Sequence, residues 1–269
     1  MKHVKALFIL GFYGLLFLAS APTRNYYQVY EAASDNVNRE ANFFEYEDEN
    51  CIVTYNLWEE GGNSGFTFYN KTDKIISLDK EKSFFILNGV AYDYFLKRTI
   101  SRSKDVNIGS AYTNTYNAAK YGRTTGYSSK TYGEGTAYSE KSIILIPPYS
   151  TKSIAEYKIN KDLYRDCDLY LFPTSKNKAV VQFSKQNSPF VFSNFISYTI
   201  DKKENTIENN FYVKSISNLR SEEFESRVYD NYCGKETSKV IKVNNVISGN
   251  KFYIEYSPSE VKTSYGEKY

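Results

Sequence analysis

Alternation of apolar and polar side chains is the clearest pattern in the chain, and it is strongest between residues 51 and 95. Apolar side chains occupy every second position at Cys51, Val53, Tyr55 and Leu57. This period of two is typical of a strand with one buried face. Further on, Asn88-Gly89 separates two apolar runs, and both residues tolerate the positive φ angles of a type I′ turn. We therefore predict a meander of short strands here, with a hairpin at Asn88-Gly89.

Apolar runs of strand length continue along the rest of the chain. We predict strands at residues 26–30, 142–146, 153–159, 179–183, 189–200, 206–216 and 251–256. The first of these is expected to be loosely attached. Pro147-Pro148 directly follows one run, and because proline cannot donate to a ladder, that strand should end at a sheet edge or bend between sheets.

Helical spacing occurs in one place, from Ser221 to Tyr232. Apolar residues recur there at Phe224, Val228 and Tyr232. Ser221 can cap the start of such a helix, and Gly234 stands where a C-terminal cap belongs. We predict a short helix followed by the strand 251–256, and a polar, disordered tail from Val261.

The composition changes between residues 101 and 140, where Gly, Ser, Thr, Asn and Tyr replace aliphatic residues. The tyrosines recur irregularly, at Tyr112, Tyr116, Tyr121, Tyr127, Tyr132 and Tyr138. Their spacing fits neither a strand nor a helix face. The segment is predicted to be a flexible insertion. The other interpretation is a binding loop in which these six tyrosines contact a partner.

The N-terminus has the layout of a secretory signal peptide over residues 1–21. Lys2 and Lys5 precede an apolar run of about 13 residues, which is shorter than the roughly 20 needed to span a membrane. Ala19-Ser20-Ala21 offers a cleavage site, although Pro22 is unfavourable after it. We expect export to the periplasm or cell surface, with a retained membrane anchor as the alternative.

The overall charge gives little reason to expect a nucleic acid as partner, since the formal value is only +3 at pH 7 and includes Lys2 and Lys5. Contact with a membrane is expected only through an uncleaved N-terminal segment. Aromatic residues make up 17% of the chain, which favours strands over helices.

The available chemistry is narrow because the one histidine, His3, lies in the signal segment. Without it, mechanisms of the Ser-His-Asp or Cys-His type are excluded, as is zinc bound through histidine. Nucleotide-binding glycine motifs are absent as well. No cofactor, metal or catalytic residue is therefore predicted, and the protein is expected not to be an enzyme.

Several smaller motifs have structural explanations. Paired acids occur at Glu59-Glu60, at Asp166 with Asp168, and at Glu222-Glu223, and we interpret them as structural or solvated. The acidic run 45–50 is interpreted as a turn in preference to a calcium site. Asn70-Lys71-Thr72 matches a glycosylation sequon but also suits a turn. Cys51, Cys167 and Cys233 allow one disulfide or three buried thiols.

Two stretches, Phe66–Leu78 (FTFYNKTDKIISL) and Ile143–Ile154 (IILIPPYSTKSI), resemble bacterial envelope domains of the immunoglobulin-like β-sandwich type. In such domains an early strand ends in Asn with a polar turn, and a later apolar strand runs into a Pro-x-Ser bend. The chain also resembles uncharacterised secreted proteins of gut and oral commensal bacteria. The resemblance implies an architecture and no functional residues.

These patterns together predict an all-β fold. We expect an antiparallel immunoglobulin-like sandwich over residues 25–218, interrupted by the insertion at 101–140, and a small helix-plus-strand appendage with a polar tail over 219–269. The expected function is that of an exported, non-enzymatic binding or scaffold protein, with an envelope or surface protein as partner at a strand edge or the insertion. A glycan-binding or glycan-cleaving sandwich and a subunit of a larger assembly are the alternatives.

Overall fold

The structure is a computed structural model that describes residues 25–40, 43–108 and 130–265. Its secondary structure comprises β1 (Tyr26–Ser34), β2 (Asn38–Glu40), β3 (Phe43–Glu47), β4 (Cys51–Tyr55), β5 (Phe66–Asn70), β6 (Ile76–Leu87), β7 (Val90–Asp93), β8 (Thr99–Ile108), β9 (Lys130–Ser139), β10 (Ile143–Ile146), β11 (Thr151–Ile154), β12 (Val180–Gln182), β13 (Val191–Ile200), β14 (Lys203–Arg220), α1 (Ser221–Phe224), β15 (Glu225–Tyr232), β16 (Lys235–Asn244), β17 (Lys251–Tyr256) and α2 (Pro258–Tyr265). The predicted all-β, antiparallel class is confirmed.

Two large sheets share one hydrophobic core. One has eight strands in the order β10-β6-β13-β14-β1-β17, with β7 paired to β6 and β12 paired to β14. The other has five strands in the order β11-β5-β4-β3-β2. Aromatic side chains from both sheets meet between them, as where the rings of Phe68 and Tyr198 lie 5.4 Å apart. Asn209 Nδ2 also donates to the hydroxyl of Tyr55 across the same space, at 2.7 Å.

The predicted alternation in β4 is confirmed, because Cys51, Val53 and Tyr55 are all fully buried in this core. The hairpin at Asn88-Gly89 is confirmed as well. The φ angles of these two residues are 48° and 83°, as a two-residue type I′ turn requires. Local turn chemistry therefore determined the pairing of β6 with β7.

The prediction of one continuous meander was wrong, because the chain changes sheets after β5. Asn70 lies at the crossing with its side chain fully buried, and its Nδ2 donates to the carbonyl oxygens of Lys74, Ile146 and Pro147 at 2.7, 3.1 and 3.0 Å. These bonds satisfy backbone groups that the crossing removes from the ladders. The sequon asparagine is thus part of the scaffold, as its turn interpretation proposed.

The prediction that the first strand is loosely attached was also wrong. β1 pairs with β14 on one side and with β17 on the other, so it lies inside the eight-stranded sheet. Tyr30, at its centre, is fully buried and stacks on Phe252 with ring centroids 4.6 Å apart. Burial on both faces removes the period-two signal, which explains why the sequence pattern was weak here.

The helix predicted over Ser221–Tyr232 ends at Phe224, and the residues after it form β15, which pairs with β16. Of the three residues with helical spacing, Phe224 is buried, whereas Val228 is exposed. The φ angles of Cys233 and Gly234 are 51° and 77°, so Gly234 belongs to a hairpin turn and does not cap a helix. Tertiary pairing has overridden a short periodic pattern.

The C-terminal segment also differs from its prediction as a polar tail. It contains α2, and Val261 in this helix is buried against Tyr26 and Tyr256. The strand preceding it, β17, pairs with β1 and so belongs to the eight-stranded sheet.

Candidate functional site

β7 and β10 are two parts of one interrupted edge strand. β7 pairs with Phe84–Leu87 and β10 with Ile76–Asp79, both on the same side of β6 and both antiparallel to it. Backbone bonds from Tyr94 N to Ser83 O (3.2 Å) and from Lys80 N to Ser142 O (2.8 Å) continue the ladder toward the break. The chain between residues 94 and 142, which contains the predicted insertion, therefore leaves the body from the middle of a strand.

β8 and β9 form the base of this insertion as a two-stranded ladder, in register from Thr99 opposite Ser139 to Ile108 opposite Lys130. The sequence pattern predicted no strand here. A ladder of this kind is held by backbone hydrogen bonds and tolerates Tyr and Thr well, so it does not need alternating aliphatic residues.

The six tyrosines proposed as partner contacts divide into two groups. Tyr112, Tyr116, Tyr121 and Tyr127 lie outside the described residues. Tyr132 and Tyr138 lie in β9, where their backbones are opposite Val106 and Ile100.

A cluster of four charged side chains holds both ends of the insertion, and we call it the ionic clamp: Lys80, Arg98, Glu140 and Glu156. Lys80 Nζ forms an ion pair with Glu140, and the two side chains are 7% and 4% exposed. Arg98 Nη2 lies 3.0 Å from Glu140 Oε1 and 2.7 Å from Glu156 Oε1. Arg98 precedes β8 and Glu140 follows β9, so the clamp joins the residues that flank the ladder.

Glu140 is the centre of the clamp because it accepts from four groups. Besides Lys80 and the Arg98 guanidinium, the backbone N–H groups of Leu96 and Arg98 donate to Glu140 Oε2 at 3.2 and 3.1 Å. Burial alone would raise its pKa, but hydrogen bonds from Arg98 and Lys80 outweigh burial and lower the pKa to about 2. Glu140 is therefore a carboxylate at every physiological pH.

A bulge in β6 makes room for Lys80. β13 pairs with β6 at Phe195–Phe84 and next at Ser197–Asp79, so four residues of β6 face a single residue of β13. Ser83 closes the bulge, since its Oγ donates to Asp79 O at 2.5 Å and accepts from Ser197 N at 3.0 Å. Bulges re-aim side chains, and this one brings a lysine to the insertion.

An aromatic groove lies beside the clamp and has a volume of about 390 Å³. Its aromatic and aliphatic lining comprises Phe85, Leu87, Tyr92, Tyr157, Ile159 and Phe190. Tyr157 stacks on Phe85 at 5.7 Å and lies 5.6 Å from the exposed ring of Tyr92. Glu156, Lys158 and Asp162 supply polar groups at its rim. Burial and the neighbouring Glu156 raise the pKa of Tyr157, so its hydroxyl remains a donor, here to Asp93 O.

β10 presents an open edge on the far side from β6. Because Ser142 O accepts from Lys80 N, the alternation of an antiparallel ladder directs the N–H and C=O groups of Ile143 and Leu145 away from β6. Their side chains are 40% and 58% exposed. No other strand in the described part of the chain pairs with β10.

Asp48, Glu59 and Glu223, one acidic residue from each of three candidate motifs, have structural partners. Asp48 Oδ1 accepts from Asn50 N and Cys51 N at 2.7 and 2.8 Å, so the turn predicted for the run 45–50 is confirmed only from Asp48 onward, and Glu45–Glu47 belong to β3. Glu59 pairs with Lys158 at 2.5 Å, and Glu223 pairs with Lys178. Within the described residues no group of three or more acidic, cysteine or histidine side chains is arranged to hold a metal ion.

The cysteines are all free thiols. Cys51 is buried in the core, whereas Cys167 and Cys233 are exposed. Burial, together with the neighbouring Asp48, raises the pKa of Cys51 well above its ordinary value, so this thiol is unreactive in the folded protein.

A buried polar network that sequence reasoning missed fixes the loop at residues 160–172. Gln28 Nε2 donates to Tyr164 O and to Asn218 Oδ1 at 2.9 Å each, and Gln28 Oε1 accepts from Tyr164 N at 2.7 Å. Asn218 Nδ2 donates to Tyr170 O at 2.9 Å. The loop borders a cavity of about 650 Å³ whose described lining runs from Arg165 to Phe172. The sequence signal that could have indicated this network was Gln28, a polar residue among the apolar residues of β1.

Comparisons with known proteins found no matching family, no similar curated protein and no similar solved structure. Among the residues that the structure describes, no helix is both long and apolar enough to cross a membrane.

Proposed function

We propose that this protein is an exported, non-enzymatic binding or scaffold protein of the cell envelope or surface. Its partner is another envelope or surface protein, and its primary contact surface is the tyrosine-rich insertion. The observation that supports this proposal most directly is the ionic clamp, which fixes both ends of the insertion to the break in the edge strand. Export is inferred from the signal-like segment 1–21, and an immunoglobulin-like sandwich is the architecture we propose for the two sheets.

The clamp supports a role for the insertion because burying charges is costly. An ion pair as enclosed as Lys80 and Glu140 recovers its desolvation cost only with good geometry and further hydrogen bonds. A flexible spacer would need no such anchor. Tyrosine combined with serine, glycine and asparagine makes adaptable contact surfaces at low entropic cost, and a rigid body is what such loops require.

Exact excision of the insertion tests this proposal. Glu140 N donates to Arg98 O at 2.8 Å, which is the bond that closes a two-residue hairpin turn. Thr99–Ser139 can therefore be replaced by Asn-Gly while every member of the clamp is kept. We expect an unchanged melting temperature and at least tenfold lower recovery of partner protein in pull-downs from envelope extracts.

The matched control for the excision is Leu145→Pro at the open edge of β10. Proline there removes an outward N–H and leaves the ladder to β6 intact. Undiminished recovery by the excised protein would overturn the insertion as the contact surface. Loss of recovery in Leu145→Pro alone would assign partner binding to the strand edge.

Glycan binding is the second candidate, and the aromatic groove favours it. Tyr92 and Tyr157 offer ring faces, and Glu156 and Asp162 can accept hydrogen bonds from sugar hydroxyls. The test is a glycan array followed by titration of any hit against Tyr92→Ala, with Tyr149→Ala, an exposed tyrosine outside the groove, as control. Release of reducing ends would indicate cleavage. Absence of binding across a broad array would exclude this candidate.

A further inference from the structure

Two strand surfaces without partners lie at opposite ends of the eight-stranded sheet. One is the open edge of β10. The other is the two-stranded sheet of β15 and β16, which we call the hairpin arm (residues 225–244). The arm begins at Phe224, which stacks on Tyr27 of β1 at 3.8 Å and contacts Tyr253 of β17 at 4.9 Å. β1 and β17 lie at the end of the strand order opposite β10, so the arm starts at the other end of the sheet from the open edge.

The root of the arm is firmly attached. Asn245 N donates to Phe224 O at 2.8 Å, and Ser226 Oγ donates to Asn245 Oδ1 at 2.9 Å. Beyond this root the arm has only two strands, and a two-stranded sheet is marginally stable in water without a third strand or a packing surface.

The arm exposes apolar side chains that a third strand would cover. Val228, Tyr229, Val240 and Val243 are 41%, 58%, 52% and 41% exposed. The bond from Asn245 N to Phe224 O also fixes the alternation along the ladder, so the N–H and C=O groups of Val240 and Lys242 point away from β15.

Charges on the two surfaces are complementary. Three acidic side chains lie beside β10 and form no ion pair among the described residues: Asp73, Asp79 and Glu81. Three basic side chains on the arm are without an ion pair in the same part of the chain: Arg227, Lys235 and Lys239. Charges of the opposite sign accompany each set, namely Lys141 at the edge, and Asp230 and Glu236 on the arm. Two arms or two edges would repel each other, whereas an arm and an edge attract.

We propose that the hairpin arm of one copy adds to the β10 edge of a second copy as an antiparallel strand. Outward-facing residues pair with outward-facing residues in such a ladder, which places Val240 opposite Leu145 and Lys242 opposite Ile143. Leu145 and Val240, both more than half exposed, then cover each other, and Ile241 lies beside Ile144.

This contact joins two different surfaces, so it is head-to-tail and can repeat into rings or filaments. β10 has only four residues, so a single contact is small compared with the roughly 1,000 Å² of a stable interface. Self-association should therefore be weak, rise with protein concentration and fall with salt. It uses the strand edge and not the insertion, so it goes beyond the function proposed above.

The test is sedimentation velocity of the purified protein at rising concentration under reducing conditions. Wild type should shift to larger species, whereas Leu145→Pro and Val240→Pro should each stay monomeric. An equimolar mixture of the two variants should form dimers and nothing larger, because one supplies only a free arm and the other only a free edge. Thr151→Pro in β11, an edge of the other sheet, is the matched control and should behave as wild type.

Three results would overturn the proposal: a monomeric wild type at every concentration, continued association of Leu145→Pro alone, or a mixture that fails to form dimers. If circular dichroism shows that either proline variant is misfolded, Leu145→Lys and Val240→Lys replace the pair with the same expectations, because two lysines opposite each other cannot restore the blocked contact. The excised protein lacking Thr99–Ser139 should self-associate like wild type. Its pull-down result therefore reports on the proposed function separately.

Discussion

Replacement of Glu140 by glutamine removes the one buried anion of the ionic clamp and leaves Lys80 without a carboxylate. Removing one partner of a buried pair costs about 3–5 kcal/mol, because the remaining charge stays desolvated. Arg98, the third member, is 44% exposed and water can reach it, so we expect the lower end, about 3 kcal/mol. For a chain of this length that loss lowers Tm by roughly 6–12 °C.

Chemical unfolding followed by the fluorescence of Trp58, the one tryptophan, measures this loss. Glu204→Gln is the matched control because its ion pair with Lys82 is more than half exposed on both sides. It should leave the unfolding free energy almost unchanged, because solvent screens an exposed ion pair. The double variant Lys80→Met/Glu140→Gln should recover most of the loss, since no buried charge remains unpaired. A cost for Glu140→Gln no larger than that of the control would refute the clamp as a buried interaction.

The pH dependence gives a second measure of the same group. Its pKa is lowered on folding, from 4.5 to about 2, so the stability it contributes is complete above pH 4.5 and is lost as the pH falls toward 2. The difference in unfolding free energy between wild type and Glu140→Gln should therefore shrink over this range. A difference that is constant from pH 6 to pH 3 would contradict the assignment.

Three further predictions concern the scaffold. Gly62→Ala should lower the unfolding free energy by at least about 2 kcal/mol, because a Cβ there would lie 2.8 Å from a buried phenylalanine ring and φ is +76°. Gly89→Ala, where φ is +83° but the surrounding space is open, should lower it by about 1 kcal/mol in the same unfolding assay. Asn70→Ala should lower the unfolding free energy by about 2–3 kcal/mol, because buried hydrogen bonds are lost. In wild type expressed in a eukaryotic secretory host, mass spectrometry should find no glycan on Asn70, because its side chain is buried. Cys51 should react with a thiol reagent only at the rate of unfolding, whereas Cys233 should react at once; rapid labelling of Cys51 in native buffer would contradict its burial.

Local signals in the sequence predicted local structure well. Alternation identified β4, and Asn88-Gly89 located a hairpin, because each depends on neighbours in the chain. Neither signal reports which sheet a strand joins, so the transfer of the chain between sheets at Asn70 was missed. The helical spacing of Phe224 and Val228 was misleading. Two apolar residues four positions apart fit one face of a helix, but the same two residues can also lie on either side of the start of a strand, as they do here.

The candidate site was harder to predict because its members are distant in sequence. Lys80 and Glu140 are separated by 60 residues, and nothing in their own neighbourhoods distinguishes them from other charged residues. The change in composition at residues 101–140 indicated a distinct segment but not the strands β8 and β9 within it. Its attachment depends on a bulge in β6, which is set by pairing with β13 and has no sequence signature of its own.

Because the inserted segment starts and ends at the break between β7 and β10, its length should have little effect on the free energy of unfolding. Both ends are held by the same backbone bond between Arg98 and Glu140, so the loop-closure cost depends only on the logarithm of the length between them. Doubling that length adds about 0.6 kcal/mol, a small cost for a domain with a core of this size. A foreign peptide inserted at this position should therefore cost the fold little stability.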